Sequence, residues 1–374
     1  MRNMNEMMLK KRSTKYLPED LVVEILSRVP LTSLARLRWA CKGWNDLIKD
    51  KILAKKPSQI IMLIDSRVYL ASVNIHKINN NKVNLTSQFS LKDPLSHNFS
   101  EEVDIQNVFH CDGLLLCTTK DDRLVVWNPL SRETRWIQPR NTNKEFEYFA
   151  LGKSSSNKYK ILRIVHTGKT HPGLLEFEIY DFTSNSWKVI SESRDWLKPL
   201  WKSCVMSVNG NIYWLASREG DGIFLQSFDF STERFRRVSL PGDHHYYNIF
   251  SLAVTREKQQ LCLLTQDRQV PARNVWIATK IESKGAASWI KFLSFDLPNF
   301  HHPFHFCSPM NFLIDRENKV LVCPGRKNGV SNNFLNILGE NKFIQVDHQD
   351  GKSVCSLLVN YVPTFVQIHQ GSLK

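Results

Sequence analysis

The first apolar pattern along the chain lies between Leu17 and Asp50. Leu21, Val22, Ile25, Leu26 and Val29 recur at helical spacing, which predicts a short amphipathic helix. Pro18 suits a place just inside its start, and Glu19 and Asp20 put negative charge where the helix dipole favours it. Pro30 is expected to stop this helix, because its ring forbids another turn and biases Val29 towards an extended backbone. A second stripe steps by three and four through Leu34, Leu37, Cys41, Trp44 and Ile48. Thr32 or Ser33 is available as its cap, and Gly43 as a break between two helices. Arg36, Arg38, Lys42 and Lys49 fall on the other face. Two or three helices this short cannot bury so much apolar surface among themselves. The segment is therefore a helical piece docked on the rest of the chain, or a plug for a partner protein.

At Pro57-Ser58 the periodicity changes from helical to strand-like. Lys77 to Lys92 is polar and Asn-rich, and reads as a loop or a loosely held hairpin. From Val108 onward short apolar runs alternate with turn residues. Asp112-Gly113 and Asn209-Gly210 are hairpin signals, since these residues tolerate the positive φ that such turns need. Three segments repeat: WNPLSRETRWI from Trp127, YDFTSNSWKVI from Tyr180 and FDFSTERFRRV from Phe228. Eight residues after each leading aromatic stands a basic residue (Arg135, Lys188, Arg236), and ten after it a β-branched one (Ile137, Ile190, Val238). Fainter copies are read at Val275-Trp-Ile and around Val346-Asp-His. A repeat near 50 residues with several strands in each unit predicts a β-propeller-like array, with Trp127, Tyr180 and Phe228 at equivalent strand positions. There is room for roughly six units at that period. A β-sandwich built from similar hairpins is the competing architecture.

Composition narrows the classes. With 42% hydrophobic and 23% charged residues over 374 positions, the chain has enough apolar material for a sizeable core. Residues 1–15 are Met- and Lys-rich without pattern and are expected to be disordered, and they hold no apolar stretch suited to a signal peptide. The longest strongly apolar run, Ile60 to Ile64, is far too short to span a membrane. Eight cysteines are scattered without a CxxC pair, several inside apolar runs, which argues against a disulfide framework or a zinc site. These features suit an intracellular chain, in the cytoplasm or nucleus. The net charge is +14, and half of the excess lies in the first 57 residues, on exposed helix faces and the short tail. A nucleic-acid binder would concentrate a basic stripe with interleaved aromatics on one element, so a solvated face, or one meeting an acidic partner, explains the charge better.

No catalytic arrangement emerges. Gly168-Lys-Thr has the end of a phosphate loop, but the position five residues earlier is Arg163 where that loop needs glycine. His301, His302, His305 and Cys307 are plausible ligand types, yet they sit among Phe300, Phe304 and Phe306 and read better as an aromatic loop than as a metal site. No cofactor is expected. Loops carrying aromatics and histidine are instead candidates for holding a target: His244, His245, Tyr246 and Tyr247, then Phe304, then Trp196 and Trp201.

The opening Leu17-Pro18, the Ile25-Leu26 followed by Pro30, and the Cys41-Lys42-x-Trp44-x-x-Leu47-Ile48 run together resemble the F-box. Ala40 departs from the Val usual in plant members, and Lys-Asp-Lys-Ile-Leu-Ala departs from their usual ending. The later half is similar to the F-box associated domain, type one, of plant F-box proteins. The matching stretches include CDGLLLC from Cys111, YKILRI from Tyr159, SVNGNIYWLA from Ser207 and VWIATKIE from Val275, within about residues 108–322. The resemblance implies three short F-box helices in residues 16–57 and a kelch-like β domain over residues 58–374. It also implies a non-catalytic substrate receptor of a Skp–cullin–F-box ubiquitin ligase. The F-box would bind a Skp-family adaptor, and through it a cullin and a RING protein, while the β domain holds an unidentified target. Leu17, Pro18, Ile25, Leu26, Pro30, Leu34, Leu37, Trp44 and Ile48 are then the adaptor-binding candidates, some of which must instead hold the helices together. The alternatives are a nucleic-acid binder or a non-ubiquitin scaffold using the basic surface, and a propeller enzyme or lectin-like binder.

Overall fold

The computed structural model describes residues 17–53, 59–72, 84–96, 101–138, 146–167, 174–193, 205–218, 222–242, 247–255, 259–269, 272–296, 311–325, 334–347 and 355–368. The chain divides into two compact units, Met1–Lys56 and Pro57–Lys374.

The first unit holds three short helices, α1 (Glu19–Ser27), α2 (Leu31–Leu37) and α3 (Lys42–Leu47), and a π-helical turn at Ile48–Leu53. Pro18 stands just outside α1 instead of inside its start, and Pro30, expected to stop the first helix, opens the second. Pro18 and Pro30 are the N-cap residues of α1 and α2. The Pro30 carbonyl accepts from the Ser33 and Leu34 amides at 3.0 Å each, so α2 starts before Thr32 or Ser33 could cap it. The break expected at Gly43 lies instead at Arg38–Cys41, where the Cys41 sulfur accepts from the Trp44 amide at 3.4 Å and caps α3. An ion pair between Lys51 and Glu19 ties the π-helical turn back to α1.

The second unit is a six-bladed β-propeller, which excludes the sandwich. Among the described residues, each blade is an antiparallel four-stranded meander. From inner to outer strand, blade 2 comprises Ile105–Cys111, Leu114–Thr119, Leu124–Asn128 and Glu133–Ile137. Blade 3 comprises Phe146–Lys153, Tyr159–Thr167, Leu174–Asp181 and Ser186–Ser193. Blade 4 runs Val205–Val208, Asn211–Arg218, Gly222–Asp229 and Arg234–Val238, and blade 5 Tyr247–Val254, Leu261–Asp267, Ala272–Ile281 and Ala287–Asp296. Blade 6 holds Leu313–Asp315, Val320–Pro324, Phe334–Gly339 and Lys342–Asp347. Blade 1 is composite. Its inner strand is Cys355–Tyr361 from the far end of the chain, paired with Gln59–Ile64, and it continues through Arg67–Ser72 to Asn84–Phe89. The polar stretch read as a loop thus supplies an outer strand at its end, with Phe89 buried and Leu85 packed on the core shared by blades 1 and 6.

The repeat falls where the pattern placed it. Trp127, Tyr180 and Phe228 are each the last residue but one of a third strand. The residue after each turns the chain with its side chain. Asn128 Oδ1 accepts from the Leu130 amide at 3.0 Å, Asp181 Oδ1 from Thr183 at 2.7 Å, and Asp229 Oδ1 from Ser231 at 2.8 Å. Five residues after each aromatic the backbone is left-handed, at Arg132, Asn185 and Glu233. The basic residue of each repeat then reaches the turn of the next blade: Arg135 donates to Asn185 at 2.9 Å, Lys188 to Glu233 at 2.7 Å, and Arg236 to the Ser283 carbonyl. Val346-Asp347 is not such a copy, because it ends an outer strand.

Asp112-Gly113 and Asn209-Gly210 form two-residue hairpin turns with positive φ at both positions. Gly113 is also crowded, since a Cβ there would collide with Thr364 and with the Val362 carbonyl of the chain's last described stretch. That stretch is held on blade 2, where Asn128 Nδ2 donates to the carbonyls of Thr364 and Val366 at 3.1 and 2.9 Å. Between blades, apolar side chains from facing sheets interlock. At the junction of blades 3 and 4, Phe177, Trp214, Phe228 and Phe230 are fully buried, with Phe235 stacked 4.6 Å from Phe177.

Candidate functional sites

Two places on the chain have chemistry left over after folding, one in each unit. In the helical unit the apolar residues of α1 divide into two stripes. Val22 and Leu26 are buried. Leu21 and Ile25, four residues apart and so neighbours along one face of α1, are 47% and 52% exposed, and Leu17, just before the helix, is 56% exposed. Trp39 is 71% exposed, with the Arg38 guanidinium 4.5 Å from its ring centre.

Of the adaptor-binding candidates, Leu17, Pro18, Ile25 and Pro30 are exposed, and Leu37 and Trp44 half-buried. Leu26, Leu34 and Ile48 are buried, so their apolar surface is spent on the protein's own interior. The two exposed residues that sequence reasoning passed over are Leu21 and Trp39. Leu21 was legible, as the middle member of the Leu17, Leu21, Ile25 series. Trp39 was not, because it lies between the helices, where no period applies.

In the propeller, the six inner strands surround a cavity of about 390 Å³ on the ring axis. Its lining includes Gln106 and Asn107 from blade 2, Glu147 and Tyr148 from blade 3, Met206 from blade 4 and Asn311 beside blade 6. Asp122 and Arg123, in the turn between the second and third strands of blade 2, also reach it. Arg123 is held by Asp93 through two hydrogen bonds of 2.8 and 2.7 Å and by Asp121 at 2.7 Å. Its guanidinium keeps the Asp93 carboxyl low, at about 2. Glu147 accepts from Arg163, which also donates to Glu178 at 2.7 Å. His110, also on the wall, is kept neutral by burial, which lowers it to about 4, and its Nε2 accepts from the Gly113 amide at 2.9 Å.

The target-binding candidates Trp196, Trp201, His244, His245, Tyr246 and Phe304 lie outside the described residues, as do His301, His302, His305 and Cys307. Tyr247 opens the inner strand of blade 5, and its side chain is also outside the description. The three segments join the outer strand of one blade to the inner strand of the next: blades 3 to 4, 4 to 5 and 5 to 6. Among the described residues, no cluster of His, Cys, Asp and Glu is arranged to hold a metal ion, and no helix is long and apolar enough to cross a membrane.

Comparison with known proteins agrees with both halves of this description. Residues 14–60 match the F-box-like family, and residues 59–368 match the family described as the F-box associated beta propeller domain. One relative named as an F-box protein in Arabidopsis thaliana is 56% identical over 369 residues, spanning 96% of this chain and 100% of its own. A second is 49% identical over 385 residues, spanning 97% and 100%. A third is 38% identical over 388 residues, spanning 95% and 98%. The chain belongs to the F-box proteins that carry an F-box associated β-propeller domain.

Proposed function

We propose that this chain is the substrate-recognition subunit of a Skp–cullin–F-box ubiquitin ligase. The F-box docks on a Skp-family adaptor, which connects it to a cullin and a RING protein, and the propeller holds a target protein. The observation that carries the reading is the exposed apolar set of Leu17, Leu21, Ile25 and Trp39 within the helical unit. Exposed apolar side chains concentrated on so few residues mark an interface that a partner completes. Such a subunit breaks no bond itself. It raises the effective concentration of a target lysine near a charged conjugating enzyme. The reading places the chain in the cytoplasm or nucleus, and buried free thiols at Cys111, Cys117, Cys262 and Cys323 suit a reducing compartment. Among the described cations of the propeller, Lys160 and Lys188 are engaged with Glu233 and Arg123 with Asp93, which lessens the positive surface offered to nucleic acid.

The test uses the exposed stripe, because those residues can change without emptying the interior. Leu21→Asp with Ile25→Asp should weaken co-purification of the adaptor by at least about a hundredfold, with helical content retained by circular dichroism. Undiminished capture by a folded double variant would remove the proposal. Leu26→Ala is the contrasting variant: it should lose adaptor by loosening the helices, at a cost of about 2–5 kcal/mol.

A further inference from the structure

The whole protein is strongly basic, yet the charges at the central channel are acidic. Among the described residues, the Asp, Glu, Lys and Arg side chains lining it are Asp122, Glu147 and Arg123; Arg123 is bound by Asp93 and Asp121, and Glu147 by Arg163, which Glu178 also binds. Five carboxylates thus meet two guanidiniums, in a chain whose net charge is +14. Arg123 and Arg163 are each bound by two carboxylates and offer nothing to an anion. Glu147 is different. One of its oxygens takes the Arg163 guanidinium, and the other has no partner among the described residues, in a side chain only 17% exposed.

A second, independent observation lies across the ring. Asn311 lines the same cavity, is 3% exposed, and neither its Nδ2 nor its Oδ1 has a hydrogen-bond partner. A buried amide with both atoms unpaired is costly, and native chains keep such groups where something else uses them. Glu147 is the second residue of the inner strand of blade 3, and Asn311 stands two residues before the inner strand of blade 6. Blades 3 and 6 are opposite in a ring of six, and their inner strands run the same way, so the two residues belong to the same mouth of the channel. Asp122 joins them there, because the turn between second and third strands lies at that face. Tyr148 and Phe149 follow Glu147 on the same strand and line the cavity with aromatic surface, Phe149 with the Arg163 guanidinium 5.9 Å from its ring centre.

We propose that this mouth of the channel binds an arginine or lysine side chain presented on a peptide segment of the target protein. Glu147 is the counter-ion, and Asn311 is the amide that pairs with the segment's backbone. The proposal rests on the substrate-receptor reading and names the class of segment that receptor takes. A volume of about 390 Å³ is near the small end for ligand pockets, which suits one or two side chains and not a folded surface. Among the described residues the sign of the charge disfavours a phosphorylated segment as occupant, since its phosphate would meet carboxylates with Arg123 and Arg163 already engaged.

The probe is a library of random unphosphorylated peptides displayed on phage and panned against the full chain. The expected result is enrichment of peptides requiring Arg or Lys, whose binding weakens as salt is raised. Glu147→Gln should weaken selected peptides by tenfold or more. Asn311→Leu should weaken them about tenfold, the worth of two neutral hydrogen bonds, while leaving the melting temperature unchanged or higher. That combination separates a ligand-binding amide from a structural one, whose loss would lower the melting temperature. Acidic or phosphorylated peptides binding better, no enrichment at all, or unchanged affinity in both variants would each overturn the proposal. So would a fall in melting temperature for Asn311→Leu, or spermidine binding as tightly as the selected peptides. Adaptor capture is scored separately on the same preparations: its failure breaks the receptor reading and leaves the peptide result standing, and the converse holds equally.

Discussion

Leu17, Leu21, Ile25 and Trp39 of the helical unit stand open to solvent, whereas Phe177, Trp214, Phe228 and Phe230 of the propeller are sealed between blades. The contrast follows from geometry. A blade has two faces, and in a closed ring each face meets a neighbour, so among the described residues most apolar side chains on the sheets find cover within the chain, with Val189 and Ile290 on outer strands as exceptions. A few short helices have no such closure. Val22, Leu26, Leu34, Ile48 and Ile52 are buried, and the remaining stripe is left over. The propeller seals most of its apolar strand residues between its own blades, whereas the helical unit keeps an apolar set at its surface.

The largest effect that would break this comparison is opening the ring. Deleting residues 355–374 removes the inner strand of blade 1 and the stretch held by Asn128. The propeller should lose cooperative melting and aggregate, while adaptor capture by the F-box persists. A truncated chain that still melts cooperatively would show that the terminal strand is not what closes the domain.

Deleting comparable side chains in the two units sharpens the point. Phe228→Ala should cost about 3–5 kcal/mol, because the ring leaves a cavity between blades that rigid sheets cannot close. Ile25→Ala should change stability by no more than about 0.5 kcal/mol, its loss appearing in adaptor binding alone. Chemical denaturation of the two variants, followed by tryptophan fluorescence, measures both.

Acid should act on the propeller through groups it holds in one protonation state. His110 is lowered by burial from 6.5 to about 4. The unfolded chain therefore takes up a proton that the folded one refuses, and stability present above pH 6.5 is lost as pH falls towards 4. Asp93 is lowered from 3.8 to about 2 by Arg123, so its contribution is present above pH 3.8 and lost as pH falls towards 2. The melting temperature should drop in both windows, and His110→Asn should flatten the first. An unchanged drop in that variant would assign it to other groups.

The smallest effect belongs to the straps between blades. Lys188→Met removes a surface ion pair with Glu233 and should cost less than about 1 kcal/mol, less still in high salt. A larger loss would mean that the repeated basic residue sets the ring's geometry, instead of only trimming its edge.

Much of this architecture is local information and was legible as such. Helical spacing marked α1, and Asp112-Gly113 and Asn209-Gly210 marked hairpins, because few other residues accept a left-handed backbone at both turn positions. Asp65-Ser66 makes a two-residue turn with positive φ at both positions, between the second and third strands of blade 1, without glycine and left no such mark. The leading aromatics of the repeat were recognisable because each is followed by an Asn or Asp that turns the chain through its own side chain. Three decisions belonged to the tertiary structure alone. Which of Leu26 and Ile25 faces inward depends on what packs against α1, and a helical period is the same for both. That Cys355–Tyr361 completes the blade begun by Gln59–Ile64 is a pairing across almost the whole chain, which no local pattern encodes. And Glu147 and Asn311 come to one axis only because the ring closes, while Arg163 and Glu178 reach Glu147 through strand pairing within blade 3, so residues that are ordinary strand or strand-edge positions when read one at a time acquire a shared site.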